Sequence, residues 1–117
     1  MSGITSYLAG EAAEDTVARA YIAHGYALID QRWRGKAGEI DLIFQKDAEI
    51  IFVEVKKSRS FDAAAFSLGA RQIRRLLASA EDFLGRMPKQ SMTPARFDVA
   101  LVNATGQLKV LPNALAA

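Results

Sequence analysis

Apolar residues recur at two different spacings along the chain, and these spacings predict where helices and strands lie. Residues 6–24 and 70–85 carry apolar side chains three and four positions apart, and a glycine, Gly25 or Gly85, closes each segment. This spacing is typical of an α-helix with one apolar face. Runs rich in β-branched and aromatic residues predict strands at 26–33, 38–45, 49–57, 96–103 and 107–112. Residues 59–69 are predicted to form either a loop or a short helix.

The order of these segments, a helix, three strands, a helix and two strands, predicts an α/β fold. Helices are expected to cover both faces of a central mixed β-sheet. The chain has 117 residues, which is long enough for one hydrophobic core. A single domain over residues 1–117 is therefore expected.

The second and third predicted strands lie in the stretch GEIDLIFQKDAEIIFVEVKKS, residues 38–58. If the turn between them is centred just after Asp47, the numbers of paired residues sum to 95. This register predicts one apolar face, which is expected to be buried and consists of Ile40, Leu42, Phe44, Ile51, Val53 and Val55. The opposite face is apolar near the turn and charged at its far end.

The charged end of this hairpin predicts a chemical site. In the same register Asp41 lies opposite Glu54 and Glu39 lies opposite Lys56, at Cβ distances of about 4.5–5.5 Å. Opposed carboxylates repel, and a divalent cation with oxygen ligands, such as Mg²⁺, would remove the repulsion. Lys56 would stabilise developing negative charge, so the residues indicate metal-assisted hydrolysis of a phosphodiester. The alternative is a solvent-exposed ion pair of Glu39 with Lys56 beside two hydrated acids.

Composition and charge exclude several other classes of site. The chain has no cysteine and one histidine, which excludes disulfides, thiolate zinc sites and cysteine nucleophiles. No apolar run reaches the ~18 residues of a membrane helix, and the N-terminus has no signal-peptide pattern, so a cytoplasmic protein without a membrane partner is expected. The net charge of +2 permits nucleic-acid binding without arguing for it.

The hairpin also resembles a known group of enzymes. An acid-led strand, a turn, and an apolar strand ending in Glu54-Val55-Lys56 resemble the PD-(D/E)xK nuclease superfamily, with Asp41 as the leading acid. GEIDLI followed by FVEVK is similar to the YraN family of small bacterial proteins, related to archaeal Holliday-junction resolvases. Matching segments extend over nearly the whole chain: Gly10-x-x-Ala13-Glu14-Asp15, HGY, RWR, Arg71-Gln72 and RFDV. The proline of the superfamily's name is absent, and Glu39-Ile40 precedes Asp41 instead.

The resemblance implies a restriction-endonuclease-like core with the order α-β-β-β-α-β. It implies that Asp41 and Glu54 bind Mg²⁺ or Mn²⁺ and that the backbone carbonyl of Val55 completes the metal site. Lys56 is the catalytic lysine on this basis. Superfamily members often add a glutamate from the first helix, which is Glu14 in this chain because it shares a face with apolar residues.

Several assignments keep an alternative. Glu11 is the rival of Glu14, and Glu14 could instead pair with an arginine. Glu39, Gln72 and Asp98 are candidates for supporting the site from outside the metal ligands. For Asp98 the alternative is an ion pair with a nearby arginine.

Two basic groups are candidates for binding the phosphate backbone of a nucleic acid. They are the loop residues Arg32, Arg34 and Lys36 and the helix residues Arg71, Arg74 and Arg75. The alternative for both groups is ordinary solvation of an exposed basic surface. No pattern for reading base sequence is present, so binding is expected to follow the shape and backbone of the nucleic acid.

Three functional hypotheses follow from the sequence. The first is a metal-dependent endonuclease acting on DNA, including branched or structured DNA. The second is a non-catalytic nucleic-acid-binding module that retains the nuclease fold. The third is an interaction protein that forms a homodimer through an exposed strand or helix. The complete set of Asp41, Glu54 and Lys56 favours the first, because a binding module gains nothing from mutually repelling acids.

Overall fold

The structure is a computed structural model that describes residues 3–115, with side chains described from residue 10 to residue 115. Its elements are helix α1 (Gly3–Ala23), strands β1 (Ala27–Arg34), β2 (Glu39–Lys46) and β3 (Glu49–Lys57), helices α2 (Phe61–Phe66) and α3 (Ala70–Gly85), and strands β4 (Ala95–Val102) and β5 (Leu108–Leu111). The predicted helices and strands are confirmed, and the segment 59–69 contains the short helix α2. Residues 1, 2, 116 and 117 of the predicted domain lie outside the described residues.

The five strands form one mixed sheet in the order β1-β2-β3-β4-β5. Strands β1, β2 and β3 are antiparallel neighbours, β3 and β4 are parallel, and β5 returns antiparallel to β4. The connection between the parallel strands runs through α2 and α3, as parallel pairing requires a long crossover. The fold is therefore α/β, with a five-stranded mixed sheet and three helices.

Helices cover both faces of the sheet, as the sequence predicts. On one face α1 contributes Ala13, Val17 and Tyr21 to a buried cluster with residues of β2, β3 and β4. On the other face α2 and α3 contribute Ala64, Leu76 and Ala80 to a second buried cluster. The central strands are consequently buried on both sides, which explains their nearly continuous apolar sequences.

The predicted register of the β2–β3 hairpin is confirmed over the half nearest the turn. Pairs run from Lys46 with Glu49 to Leu42 with Val53, and each pair sums to 95. Asp47 occupies the turn with a φ of 54°, a left-handed conformation that aspartate tolerates better than most residues.

The predicted apolar face is wrong at Ile40. Leu42 and Phe44 pack under α1, whereas Ile40 is fully buried in the cluster under α2 and α3. The strict alternation of strand side chains therefore fails between Ile40 and Leu42, with Asp41 at the point of change. The segment of β1 that pairs with this part of β2 is also irregular. Arg32 lies between Gln31, which pairs with Leu42, and Trp33, which pairs with Ile40, and it has a φ of 47°.

Strand β1 is an edge strand of the sheet and is interrupted twice. Its pairing with β2 shifts by one residue between Leu28 and Asp30, and Arg32 departs from extended geometry further along. The first is a β-bulge, and the second leaves the register unchanged but interrupts the extended backbone at Arg32.

None of the helices among the described residues, 3–115, combines the length and apolar character needed to cross a bilayer.

Candidate active site

Asp41 lies where β2 and β3 separate. The regular backbone pairing of these strands ends at Leu42 and Val53. Beyond this pair, the Asp41 carboxylate accepts a hydrogen bond from the Val55 backbone N–H at 2.8 Å. A side chain thus occupies the place of a ladder hydrogen bond. This bond orients the Asp41 carboxylate towards the carboxyl-terminal half of β3, which carries Glu54 and Lys56.

Gln72 on α3 connects the acid and the lysine of β3. The Gln72 amide nitrogen donates to Glu54 Oε2 at 3.0 Å, and the Gln72 amide oxygen accepts from Lys56 Nζ at 3.0 Å. Lys56 Nζ also lies 3.8 Å from Glu54 Oε2. Packing of α3 against the sheet therefore positions Lys56 beside Glu54. Gln72, which the sequence suggested as a supporting residue, contacts Glu54 and Lys56 directly.

Glu14 approaches the same acids from α1. Its carboxylate lies 3.3 Å from Arg32 Nε, and Glu11 one turn earlier lies 3.1 Å from Arg32 Nη2. The side chain of Glu14 is 16% exposed and that of Glu11 is 35% exposed. The alternative pairing of Glu14 with an arginine is observed, and the charges of Asp41 and Glu39 also act on Glu14. Its role at a metal site stays a prediction.

Burial and mutual repulsion raise the pKa values of these acids. Burial, followed by the charge of Asp41, raises the pKa of Glu54 to about 9. Burial also raises the pKa of Asp41, although the hydrogen bond from Val55 opposes the shift. Burial and the charge of Asp41 raise the pKa of Glu14 to about 7, against the opposing effect of Arg32. In the metal-free protein the Asp41–Glu54 pair therefore holds a proton at neutral pH.

The donor set at Asp41 and Glu54 fits a hard divalent cation. Glu54 is 5% exposed, and its Oε1 atom is buried without a hydrogen-bond partner among the described residues. Its neighbour is the Asp41 carboxyl, which can hydrogen-bond to it only when one of the pair is protonated. A cation would replace that proton, and Mg²⁺ typically binds one or two carboxylates and retains several waters. Within the described range no group of three or more Asp, Glu, His or Cys side chains is arranged to hold a metal ion.

Glu39 lies in a different place from the one predicted. In register it faces Arg34 on β1, and its carboxylate lies 3.5 Å from Arg34 Nη2. The expected pairing of Glu39 with Lys56 fails because β2 leaves β3 at Asp41 and continues beside β1. The charge of Glu39 still raises the pKa values of Asp41 and Glu14, so it belongs to the same electrostatic cluster.

The basic loop between β1 and β2 is held against α3. Ser79 donates its hydroxyl hydrogen to the Gly38 carbonyl at 2.8 Å, and the Lys36 backbone N–H donates to Asp82 at 3.0 Å. The latter bond lowers the pKa of Asp82. Arg34, the last residue of β1, and Lys36, on this loop, are both exposed and lie a few residues from Asp41 along the chain. Nothing in the sequence indicated that Ser79 and Asp82 anchor the loop.

The helix residues Arg71, Arg74 and Arg75 are all exposed on α3. They flank Gln72 in sequence, so the helix that positions Lys56 also carries basic groups. Two of the predicted phosphate-binding residues are already in ion pairs: Arg32 with Glu11 and Glu14, and Arg34 with Glu39.

Asp98 belongs to a separate network at the other end of the α1 face. It is fully buried and accepts hydrogen bonds from the Tyr21 hydroxyl at 2.7 Å, from Arg96 Nε at 3.0 Å and from the Asn113 backbone N–H at 2.8 Å. The alternative pairing of Asp98 with an arginine is thus observed. Tyr21 lies seven residues after Glu14 on α1, about 10 Å further along the helix.

A cavity of about 420 Å³ adjoins this network and is lined in part by Tyr21, Tyr26, Lys46, Arg96 and Asp98. It lies at the end of β2 opposite to Asp41, five residues or about 17 Å away along the strand. Of this group, the sequence predicted only the pairing of Asp98 with an arginine and missed Tyr21, Tyr26 and Lys46. The seven-residue spacing of Tyr21 from Glu14, which puts both on one helix face, was the available signal.

Tyr21→Phe is expected to lower the free energy of unfolding by about 2 kcal/mol, because it removes a buried hydrogen bond to a charged carboxylate. Urea denaturation measures this change. Tyr26→Phe is the matched control, since the half-buried Tyr26 hydroxyl only accepts from Arg96, which keeps its bonds to Asp98. Equal tolerance of both substitutions would contradict a stabilising role for the Tyr21–Asp98 bond.

Known proteins similar to this chain are themselves short. The description of the matching family model is "Uncharacterised protein family UPF0102", and the model matches residues 13–102. A UPF0102 protein of Ruegeria pomeroyi is 55% identical over 112 residues, which cover 96% of this chain and 91% of the relative. A UPF0102 protein of Cereibacter sphaeroides is 50% identical over 117 residues, which cover 100% of both chains.

A more distant relative, a UPF0102 protein of Dinoroseobacter shibae, is 41% identical over 111 residues, which cover 95% of this chain and 83% of the relative. The region matched by the family model includes Glu14, Asp41, Glu54, Lys56 and Gln72. UPF0102 is the YraN-like family, so the resemblance to the YraN family is confirmed. With a family model matching most of its length and full-length relatives at these identities, the chain belongs to the UPF0102 family.

Proposed function

We propose that this protein is a metal-dependent endonuclease that hydrolyses phosphodiester bonds in DNA, with the restriction-endonuclease-like arrangement of the PD-(D/E)xK superfamily. The observation that carries the proposal is the pair formed by buried Glu54 and half-buried Asp41, with Lys56 held beside Glu54 by Gln72. Two adjacent carboxylates withdrawn from water repel each other, and a divalent cation would relieve this repulsion in place of the shared proton, so we attribute the pair to a metal site.

In this proposal Asp41, Glu54 and the Val55 carbonyl hold Mg²⁺ or Mn²⁺, and Glu14 assists. The bound ion supplies Lewis-acid chemistry, which lowers the pKa of a bound water and polarises a phosphoryl oxygen. Lys56 stabilises the negative charge that develops around phosphorus during the reaction. Gln72 keeps the Lys56 ammonium group at a defined distance from Glu54, so the lysine does not reorganise as charge develops.

Exposed basic residues on two sides of the site support nucleic acid as the substrate. Arg34 ends β1, Lys36 lies on the loop that leads into β2, and Arg71, Arg74 and Arg75 lie on α3. The loop and α3 are joined by the hydrogen bond from Ser79 to Gly38, so the two basic groups lie on connected elements. Backbone phosphates are the ligands expected for such groups.

The test is cleavage of a four-way DNA junction and a linear duplex of the same sequence by the wild-type protein, with Mg²⁺, with Mn²⁺ and with EDTA. Cleavage that requires the metal is the expected result. Binding of either DNA without metal-dependent cleavage would overturn the enzymatic proposal and favour a non-catalytic binding module. Gel filtration of the same preparation determines whether the active species is a monomer or a dimer.

Gln72→Met is expected to slow cleavage by about 10- to 100-fold, because loss of a group that orients the active residues typically has this effect. Methionine has a similar length but cannot bridge Glu54 and Lys56. Single-turnover rates measure the change, and DNA affinity and unfolding temperature should stay close to wild type. Gln31→Met, at an exposed position on β1, is the control. A rate for Gln72→Met within threefold of the control would contradict a positioning role for Gln72.

A further inference from the structure

The side chain of Phe66 is almost completely exposed. It is 92% accessible, more than the other exposed large apolar side chains of the described residues, Met92, Ile22 and Ile29. It is the last residue of α2, and the helix does not need it for packing. Ala64 is fully buried, and Phe61 and Leu68 pack against the same cluster. The Phe66 ring buries almost no apolar area in the fold, so its surface is available for a ligand.

Phe66 lies on the segment that joins two parts of the candidate active site. Strand β3 carries Glu54 and Lys56 and ends at Lys57, and α3 carries Gln72 near its start. Gln72 follows Phe66 by six residues, so their Cα atoms are at most about 21 Å apart by chain length alone. A ligand bound at the acids could therefore reach Phe66.

The surroundings of Phe66 are strongly basic. Residues 57–75 contain five cations and one acid, Asp62, for a net charge of +4 (five minus one). The cations are Lys57, Arg59, Arg71, Arg74 and Arg75. All five are exposed, and none of them forms an ion pair within residues 10–115, where side chains are described. This charge favours a polyanion and disfavours a second copy of the chain, which would bring like charges together.

We propose that Phe66 stacks on an unpaired base of the DNA bound at the candidate site. The inference rests on the proposed function and narrows its substrate to DNA that contains single-stranded or unpaired nucleotides near the scissile bond. In a continuous duplex both faces of each base are already stacked, whereas an unpaired base offers a free face to an aromatic side chain. The neighbouring cations would hold the phosphates on either side of that base.

The experiment measures DNA affinity in EDTA, so that cleavage does not interfere. The probes are a linear duplex and the same duplex with a single-stranded flap of five thymines, each titrated with wild type, Phe66→Ala, Phe66→Trp and the control Met92→Ala. Phe66→Ala should weaken binding of the flapped DNA by about 10-fold or more and leave binding of the duplex within twofold. Phe66→Trp should restore binding of the flapped DNA, because it also presents an aromatic face, and Met92→Ala should behave as wild type.

Other outcomes separate this inference from the proposed function. A selective effect of Phe66→Ala on flapped DNA supports stacking even if the wild type never cleaves, which would overturn only the endonuclease. Equal losses on both DNAs, or no loss on either, would overturn stacking whether or not cleavage occurs. Failure of the wild type to bind either DNA in EDTA would overturn stacking, and it would overturn the endonuclease as well only if metal-dependent cleavage is also absent. A wild-type dimer that Phe66→Ala dissociates, measured by sedimentation, would assign Phe66 to a contact between copies and overturn the inference.

Discussion

Asp41→Asn is expected to lower the rate of metal-dependent DNA cleavage by about 1,000-fold or more while leaving the fold intact. The amide oxygen of asparagine can still accept the hydrogen bond from Val55, so the junction of β2 and β3 is preserved. The negative charge that a divalent cation requires is lost. Lewis-acid catalysis contributes several kcal/mol of transition-state stabilisation, and each 1.4 kcal/mol is a factor of ten in rate.

Asp47→Asn provides a matched control for this substitution. It makes the same chemical change in the same hairpin, at an exposed turn position whose φ of 54° asparagine also accepts. Single-turnover cleavage of a four-way junction and calorimetric titration with Mn²⁺, in the presence of DNA, measure rate and metal binding. Asp41→Asn should lose both, and Asp47→Asn should retain both. Cleavage by Asp41→Asn within tenfold of the control would exclude Asp41 as a metal ligand in the reaction.

Glu54→Gln is expected to stabilise the metal-free protein at alkaline pH. The folded-state pKa of Glu54 is raised from 4.5 to about 9, so between these values the folded protein binds a proton that the unfolded chain does not. The stability contributed by Glu54 is therefore lost progressively as pH rises from about 5 to about 9. Glutamine does not ionise and avoids this loss. At pH 8 the variant should exceed wild type by on the order of 3 kcal/mol, and at pH 5 the two should be similar.

Urea denaturation in EDTA across this pH range measures the difference. Glu81→Gln is the control, because Glu81 is exposed on α3 and its neutralisation should change little. Saturating Mg²⁺ should stabilise wild type at pH 8 and leave Glu54→Gln nearly unchanged, since a ligand stabilises only the form that binds it. If wild type instead gains stability relative to Glu54→Gln as pH rises, the Glu54 carboxylate is stabilised in the fold without a metal. The repulsion between Glu54 and Asp41 would then be absent.

The sequence was sufficient for the parts of the fold that depend on local pattern. Period-2 and period-3.6 apolar spacing placed the helices and strands, and the short turn at Asp47 determined the hairpin register down to Leu42 and Val53. These features depend on residues close together in the chain. The approach of Asp41 and Glu54 followed from the same register.

The errors lie where a longer-range interaction overrides the pattern. Strict alternation predicts the wrong face for Ile40, because β2 leaves β3 at Asp41 and follows β1. Glu39 was paired with Lys56 for the same reason. The partners of Arg32 and the anchoring of the basic loop on Ser79 depend on how helices dock against the sheet, which no local spacing specifies.

The two interruptions of β1 have a consequence for self-association. An edge strand with a continuous row of free backbone N–H and C=O groups can recruit the edge of another molecule and start aggregation. The shift between Leu28 and Asp30 and the left-handed residue at Arg32 break that row, and β5 at the opposite edge is only 4 residues long. The sheet thus has no long flat edge among the described strands to template intermolecular pairing. Within residues 3–115, an apolar, β-branched central sheet is therefore flanked by edges that resist pairing with another molecule.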